Sequence, residues 1–369
     1  MVVLKDSALV SVVVPCFNAQ DYVAEALSSL RNQTYENIEI IAIDDGSTDE
    51  TLDFLSEAAK QDSRIKIVTR ENRGLVASLN EGVYLARGRL IARMDADDIS
   101  YPSRIARQVE CLNAHPNVGL CCTDYDSMVL GFRTFPHPKA DVQGDEYKIV
   151  HLFHTGIVHP TVMFNLDQIG IAAPLYREKY RHAEDFDLFR RISAHSNIYQ
   201  LPEKLVAWRI NHQSVSRIHA KEMLRAHFSI VEEQLEAFGF DVQTALFSRF
   251  CSNVSDMTEF DLDQTFEKIR AIFLSGKFAG RDRFVFENAF DIFLMLFFRL
   301  ASQRFSTSLV YASAQRVGLN DRLRQKDRLK ARLSLGLGDW AAGSLLDTVG
   351  IWQQKAKALM YGSDARQRP

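Results

Sequence analysis

The stretch that most constrains the fold runs from Arg89 to Asp98, where the segment RLIARM ends in the acidic sequence DADD. A short apolar run bounded by charge is typical of a strand buried in a parallel sheet, and its acids then emerge at the carboxyl end. Open α/β sheets bind their ligands at that edge. Asp95 and Asp97 can supply oxygen ligands to Mg²⁺ or Mn²⁺ and leave coordination positions for phosphate oxygens. Taken alone, the motif has a second interpretation as a polar strand-to-loop transition.

Strand-like and helix-like segments alternate at regular spacing before this stretch. The strand-like segments are rich in β-branched residues, which is typical of central strands covered on both faces. A helix is predicted after each of them, and Asn18 is positioned to cap the first. This alternation, with right-handed crossovers, predicts an α/β fold with an open parallel sheet. The predicted strands are Leu9–Val14, Ile38–Ile43 and Ile65–Thr69.

The predicted edge of the sheet gathers four loops whose polar groups suit a nucleotide. Two adjacent acids, Asp44 and Asp45, end the second strand, and Gly46 permits the tight turn that follows. The three polar residues after Gly46 are candidate helix caps. Capping does not explain the adjacent carboxylates, which repel each other unless something binds them. The four loops are residues 15–18, 44–49, 72–74 and 95–98.

Four motifs in this region come in a familiar order and spacing: VSVVVPCFN, DDGSTD, NRG and MDADD. Each is weak alone, but the combination resembles the family 2 glycosyltransferases of the GT-A fold, over roughly residues 8–216. The resemblance implies a GT-A catalytic domain over residues 1–219, with the Rossmann-like, mostly parallel sheet of a nucleotide-diphospho-sugar transferase. Residues 220–369 are expected to form a helical C-terminal region that contacts the acceptor, a membrane surface or another subunit.

The resemblance also implies roles for residues in the four loops of a metal-dependent, hexosyltransferase-type enzyme. Asp97 would hold Mn²⁺ or Mg²⁺ with Asp95 beside it, and Asp45 would accept a hydrogen bond from the base of the nucleotide sugar. The wall and floor of the nucleotide pocket would come from Pro15, Phe17, Asn18, Asn72 and Gly74.

A further acidic motif, HAEDFDL, opens a predicted helix at His182. Acids in a first helical turn are favoured by the helix dipole, which by itself accounts for one or two of the three. The resemblance implies that Asp185 is the catalytic base and that Glu184, its neighbour, is a substrate ligand. Asp187 is expected at the surface.

Histidines occur in two segments that resemble parts of the family's site. His159 begins a segment that the family places near the sugar pocket, so it is expected to contact the substrate. His212 lies in RINHQSVS, which is similar to a closing segment whose histidine can approach the metal or the diphosphate. The alternative for each is a packed or exposed side chain. The Gln-x-x-Arg-Trp motif of processive synthases is absent, which favours the transfer of one sugar per encounter.

Composition restricts the partners and the location. A net charge of −3 gives no reason to expect nucleic-acid binding, and the first residues lack the pattern of a signal peptide, so a cytoplasmic location is expected. The five cysteines form no CxxC pair and are expected to be buried thiols.

The apolar run Ile292–Phe298 is too short to span a membrane and is expected to be a buried helix or an interface. The basic stretch over residues 316–332 predicts either peripheral membrane contact or a solvated helix face.

These observations lead us to expect an inverting glycosyltransferase that uses a nucleotide sugar, with UDP as the expected nucleotide. The expected acceptor is a saccharide or a lipid-linked saccharide of cell-surface polysaccharide biosynthesis. The main alternative is a non-catalytic scaffold that binds nucleotide sugars, although such a protein is expected to lose its carboxylates. A phosphatase would need Thr or Val where Ile99 stands, and a nucleotidyltransferase would need a Gly-rich loop where Pro15 to Asn18 stand.

Overall fold

The computed structural model describes residues 8–129, 132–134, 143–210, 219–242, 245–251, 257–319 and 322–323. Within these residues nine strands form one mixed sheet. They are β1 (Val10–Cys16), β2 (Ile38–Asp44), β3 (Ile65–Thr69), β4 (Leu90–Arg93), β5 (Ile99–Ser100), β6 (Val118–Val129), β7 (Phe132–Thr134), β8 (Met163–Asn165) and β9 (Asn197–Ile210).

The order of the strands places the carboxyl ends of β1, β2 and β4 side by side. The sheet runs β3-β2-β1-β4-β8-β6-β9-β5, with β7 paired to β6 outside this path. The first four strands are parallel, as the sequence predicts. β8 then enters antiparallel between β4 and β6, and β6 pairs in parallel with β9. The predicted α/β class is confirmed, and its far half is mixed rather than purely parallel.

Ten α-helices lie within the described residues and cover both faces of the sheet or extend beyond it. Because strand side chains alternate between faces, Val13 belongs to the same buried cluster as Leu79, whereas Val12 belongs to a second cluster with Leu27 and Ile105. The helices are α1 (Val23–Arg31), α2 (Thr51–Gln61), α3 (Leu75–Leu85), α4 (Arg104–Ala114), α5 (Tyr147–Val150), α6 (Glu184–His195), α7 (Ala220–Ala237), α8 (Glu259–Leu274), α9 (Gly280–Ser302) and α10 (Thr307–Arg316).

The C-terminal helices join the core of the sheet domain through an aromatic cluster. The ring of Phe293, in α9, lies 5.2 Å from Phe153, 6.2 Å from Phe228 on α7 and 5.1 Å from Phe247, measured between centroids. This confirms that the apolar run of α9 is a buried helix. None of the helices in the described ranges is long and apolar enough to cross a bilayer. Most of the basic stretch over residues 316–332 lies outside the described residues.

Two smaller predictions are settled by the same structure. All five cysteines lie in the described part of the chain, and each is a buried free thiol, as predicted. The prediction that Asn18 caps α1 is wrong, because the helix begins at Val23 after Tyr22. Asn18 instead adopts a left-handed conformation with φ of 47° and binds the loop after β2.

Two buried histidines, His151 and His154, and a partly buried third, His227, lie where the sheet domain meets the C-terminal helices. The ring nitrogens of His151 bind the hydroxyl of Ser193 (2.9 Å) and the carbonyl of Thr155 (2.8 Å). Nδ1 of His154 and Nε2 of His227 have no hydrogen-bond partner within the described ranges. Burial lowers the pKa of His151 and of His154 to about 3, and that of His227 to about 4.

We therefore expect the free energy of unfolding to decrease as the pH falls below about 6.5, the ordinary histidine pKa. The unfolded chain takes up protons there, whereas the folded chain holds these rings neutral, so each histidine lowers stability by about 1.4 kcal/mol per pH unit. Urea unfolding over a pH series measures the slope. His154→Leu should reduce it, and replacement of the exposed His195 by Asn should not. Equal slopes in all three proteins would contradict this account.

Candidate functional site

The loops after β1 and β2 are joined by hydrogen bonds. The backbone N–H of Asn18 donates to the hydroxyl of Ser47 (3.0 Å), and the N–H of Thr48 donates to Oδ1 of Asn18 (2.9 Å). Phe17 stands beside this junction with 51% of its surface exposed. An aromatic ring left this open on a rim between polar loops offers a face on which a planar base can stack.

Asp45 organises the third loop. Its oxygens accept hydrogen bonds from the backbone N–H groups of Arg73 (2.8 Å) and Gly74 (2.8 Å), and it forms a buried ion pair with Arg70. Asp44 accepts instead from the backbone of Ser47 and the hydroxyl of Thr69. The predicted repulsion between the adjacent acids is thus relieved by the protein's own donors, which include Arg70, a residue that no sequence motif singled out.

Two glycines with positive φ let these loops approach one another closely. A Cβ on Gly46 (φ 74°) would lie 2.7 Å from the backbone nitrogen of Asn72, and one on Gly74 (φ 86°) would lie 2.7 Å from Nη2 of Arg181. A side chain at Gly46 would collide with backbone, whereas at Gly74 the end of the Arg181 side chain would have to move, and both positions would be strained by their positive φ. The third loop therefore touches the segment that leads into α6.

Three carboxylates form a cluster after β4. Asp95, Asp97 and Asp98 each offer an oxygen within 4.8 Å of the others. Asp98 is buried, and its Oδ2 has no hydrogen-bond partner among the described residues. Burial, together with the charges of Asp97 and Asp95, raises the pKa of Asp98 well above its ordinary value. Clustered carboxylate oxygens with one unsatisfied buried atom fit the requirements of a hard divalent cation such as Mg²⁺ or Mn²⁺.

Arg93 connects this cluster to the rest of the site. It is 4% exposed at the end of β4 and forms an ion pair with both oxygens of Asp95. Its charge also acts to lower the pKa of Glu184 and of Asp185. No sequence motif singled out Arg93, although an arginine inside an otherwise apolar strand is a signal that a buried acid faces it.

The acids of α6 lie within electrostatic reach of the β4 cluster. Burial and the neighbouring charge of Asp185 raise the pKa of Glu184 to about 7. Burial also raises the pKa of Asp185, opposed by the backbone N–H of Phe186, which donates to its Oδ1 (2.7 Å), and by Arg93; Asp95 adds a smaller upward effect. Residues some 90 positions apart in the chain thus act on one another. The two acids have different surroundings, because burial and Asp185 favour the protonated form of Glu184, whereas the N–H of Phe186 and the charge of Arg93 favour the ionised form of Asp185.

Comparison with known proteins identifies the family. Residues 11–167 match the model of glycosyl transferase family 2. An uncharacterized glycosyltransferase of Haemophilus influenzae is 33% identical over 260 residues, which cover 65% of this chain and 78% of the relative. This chain belongs to glycosyltransferase family 2. The Rickettsia prowazekii glycosyltransferase RP339 is 30% identical over 62% of this chain and 69% of its own.

Solved structures agree with the GT-A fold expected for this family 2 glycosyltransferase. The crystal structure of S. aureus TarS 1-349 in complex with UDP superposes with a TM-score of 0.51 and covers 86% of this chain and 91% of that one. The complex of the same protein with UDP-GlcNAc also has a TM-score of 0.51, over 86% and 92%. The sequence identities are 17% and 16%. At that distance the likeness shows the fold alone, and it confirms the predicted architecture.

The prediction that Asp187 lies at the surface of the glycosyltransferase is wrong. Its side chain is fully buried, where it forms ion pairs with Arg177, Arg190 and Arg191. Asp187 faces inward on α6 because it is two residues beyond Asp185, on another side of the helix. The third acid of the motif is therefore a structural residue that fixes α6.

Of the two candidate histidines of this family 2 glycosyltransferase, the structure describes His159 but not His212. His159 is buried, and its Nε2 shares a hydrogen bond of 2.9 Å with the hydroxyl of Tyr176. Burial and the nearby Arg93 lower its pKa well below the ordinary value, so it is neutral. A substrate contact by His159 remains a prediction. His212, predicted to approach the metal, lies outside the described residues.

Proposed function

We propose that this family 2 glycosyltransferase transfers a single sugar from a UDP-sugar to a hydroxyl group of a saccharide acceptor, with inversion at the anomeric carbon. The observation that supports the proposal is that the charges of Arg93 and Asp95 act on the pKa of Asp185, as expected if a base lies within electrostatic range of a cation site. The S. aureus TarS complexes with UDP and UDP-GlcNAc support the choice of nucleotide.

Each loop of the site has a proposed task in donor binding. Asp97, with Asp95 and Asp98, would hold Mn²⁺ or Mg²⁺. When bound, such a cation offsets the negative charge of the departing diphosphate. Asp45 and the loop it organises would bind the nucleotide. The remaining pocket residues are Pro15, Phe17, Asn18, Asn72 and Gly74.

Asp185 would accept the proton of the acceptor hydroxyl as its oxygen attacks the anomeric carbon. The bond to the diphosphate breaks on the opposite face, which inverts the configuration, through a transition state with oxocarbenium character like that of glycoside hydrolysis. Glu184, with its pKa of about 7, would donate a hydrogen bond to the acceptor or donor sugar. Arg93 would keep Asp95 in place and favour the ionised form of Asp185.

The setting we propose for this reaction is cell-surface polysaccharide biosynthesis with a lipid-linked or free saccharide acceptor. Many unrelated pathways use the same fold, so this part rests on the family and not on a contact in the site. The cytoplasmic location, the membrane contact of the basic stretch and the boundary between residues 219 and 220 remain predictions. A non-catalytic nucleotide-sugar scaffold is the alternative function.

Replacing Asp97 tests the cation site directly. We expect Mn²⁺ to increase the thermal stabilisation that UDP gives to the wild-type protein, and EDTA to abolish that increase. Asp97→Asn should lose the Mn²⁺-dependent part and weaken UDP binding by about tenfold or more, because one ligand is neutralised. Asp167→Asn is the matched control, since Asp167 pairs with Arg89 at the opposite edge of the sheet.

Labelled nucleotide sugars then separate the two candidate functions. A transferase hydrolyses its donor slowly when no acceptor is present, so release of free sugar in the presence of Mn²⁺ supports the proposal. Nucleotide binding without any release, across UDP-, GDP- and dTDP-sugars, would favour the scaffold. Binding and release that are both unaffected by EDTA would contradict the metal dependence.

A further inference from the structure

Arg209, the penultimate residue of β9, makes two hydrogen bonds to the loop that carries the candidate cation ligands. Its backbone N–H donates to Oδ1 of Asp98 over 2.7 Å. Its side-chain Nε donates to the backbone carbonyl oxygen of Asp97, also over 2.7 Å. One residue thus holds the carboxylate of the third acid and the peptide of the second.

The outer end of the same side chain is anchored to α1. Nη2 of Arg209 lies 2.7 Å from Oε2 of Glu25, and the guanidinium stands 4.6 Å from the ring centroid of Tyr22. The side chain is only 12% exposed. Because both ends are held, its Nε–H has a fixed direction toward the carbonyl of Asp97, and a planar guanidinium is suited to such simultaneous contacts.

The loop that carries the three acids is held at its two ends by strands. It leads from β4 into β5, which is two residues long and pairs with β9 through Ile99 and Ser100. Its internal turn bond, from the N–H of Asp98 to the carbonyl of Asp95, is long at 3.4 Å. The direction of the Asp97 side chain depends on the orientation of its peptide. Arg209 holds that peptide from outside the loop.

We propose that Arg209 is a positioning residue that orients Asp97 for the divalent cation by fixing its peptide against β9 and α1. This inference rests on the proposed function, because it requires Asp97 to hold a cation. Groups that orient metal ligands without touching the metal commonly change metal affinity by about 10- to 100-fold when they are removed. Arg209 should therefore affect the affinity for the cation more than the chemical step.

The direct test is Mn²⁺ binding, measured from the EPR signal of free Mn²⁺ in the presence of the full-length protein. We expect Arg209→Ala to raise the Kd for Mn²⁺ by about 10- to 100-fold. At saturating Mn²⁺ its kcat should recover to within a few-fold of the wild-type value. Arg209→Lys keeps the charge but loses the planar group, so it should also weaken Mn²⁺ binding. Glu25→Gln removes the charge at the exposed end but keeps an oxygen that can accept from Nη2 of Arg209, so the side chain stays anchored and the Kd should stay near the wild-type value.

The outcomes separate this inference from the proposed function. If the wild-type protein binds no Mn²⁺, the cation site itself is wrong, and the role of Arg209 fails with it. If the wild type binds Mn²⁺ and the folded Arg209→Ala and Arg209→Lys proteins bind it equally well, the inference alone is overturned. Should Arg209→Ala fail to fold, as judged by circular dichroism, the lysine variant decides between the same two results.

Discussion

Asp185→Asn should lower the rate of sugar transfer by about 10²- to 10⁴-fold, the usual contribution of a positioned general base. The amide keeps the shape of the side chain and can still accept from the N–H of Phe186, so the start of α6 should be preserved. Donor binding should survive, because the cation ligands after β4 are untouched. The measurements are single-turnover transfer with a labelled donor and a separate titration with UDP.

The matched control for this variant is Asp53→Asn, since Asp53 is an exposed acid in the first turn of α2. It should transfer at the wild-type rate. An Asp185→Asn protein that turns over near the wild-type rate would show that another group accepts the proton. Loss of UDP binding together with transfer would point to a structural role for Asp185 instead.

Asp187→Ala should lower the free energy of unfolding by about 3 kcal/mol, the low end for breaking a buried ion pair. The substitution leaves Arg177, Arg190 and Arg191 without their shared buried carboxylate. The low end applies because the Arg177 side chain is 40% exposed, so solvent screens part of its interaction. Urea unfolding at neutral pH measures the change.

Asp145→Ala is the comparison for this stability measurement. Asp145 also forms an ion pair, with Lys148, but its side chain is 76% exposed. Its loss should change stability by less than about 1 kcal/mol. A similar, small effect at Asp187 would mean that the three arginines find other partners. The motif HAEDFDL would then contain no structural acid.

The near half of the sheet was predictable from the sequence because its strands are long and apolar and alternate with helices. β1, β2 and β3 coincide with the predicted segments to within two residues at either end. The far half was not predictable in the same way. β5 and β8 have two and three residues, which is too short for a periodic pattern. Their places in the sheet depend on pairing with strands that are distant in the chain.

The candidate site also has a part that the strand pattern predicted and a part that it did not. The position of Asp95 and Asp97 at the sheet edge followed from the strand pattern alone. The role of Asp185 came only from the resemblance to family 2, because nothing local distinguishes it from Asp187. Both acids lie in the first turn of one helix, yet the pKa of Asp185 is influenced by Arg93 and Asp95, whereas Asp187 is buried among arginines.

By itself, the sequence determined that hydrophobic strands end in acids and that parallel connections bring those ends to one edge. Such features depend on residues near each other in the chain, so the spacing of apolar and polar residues predicts them. The tertiary structure alone decided which charges meet: Arg70 with Asp45, and Arg209 with the loop of Asp97. Each of these contacts joins segments far apart in sequence. A buried charge is stable only when an opposite charge or a hydrogen-bond partner reaches it, and the packing of the whole chain determines whether one does.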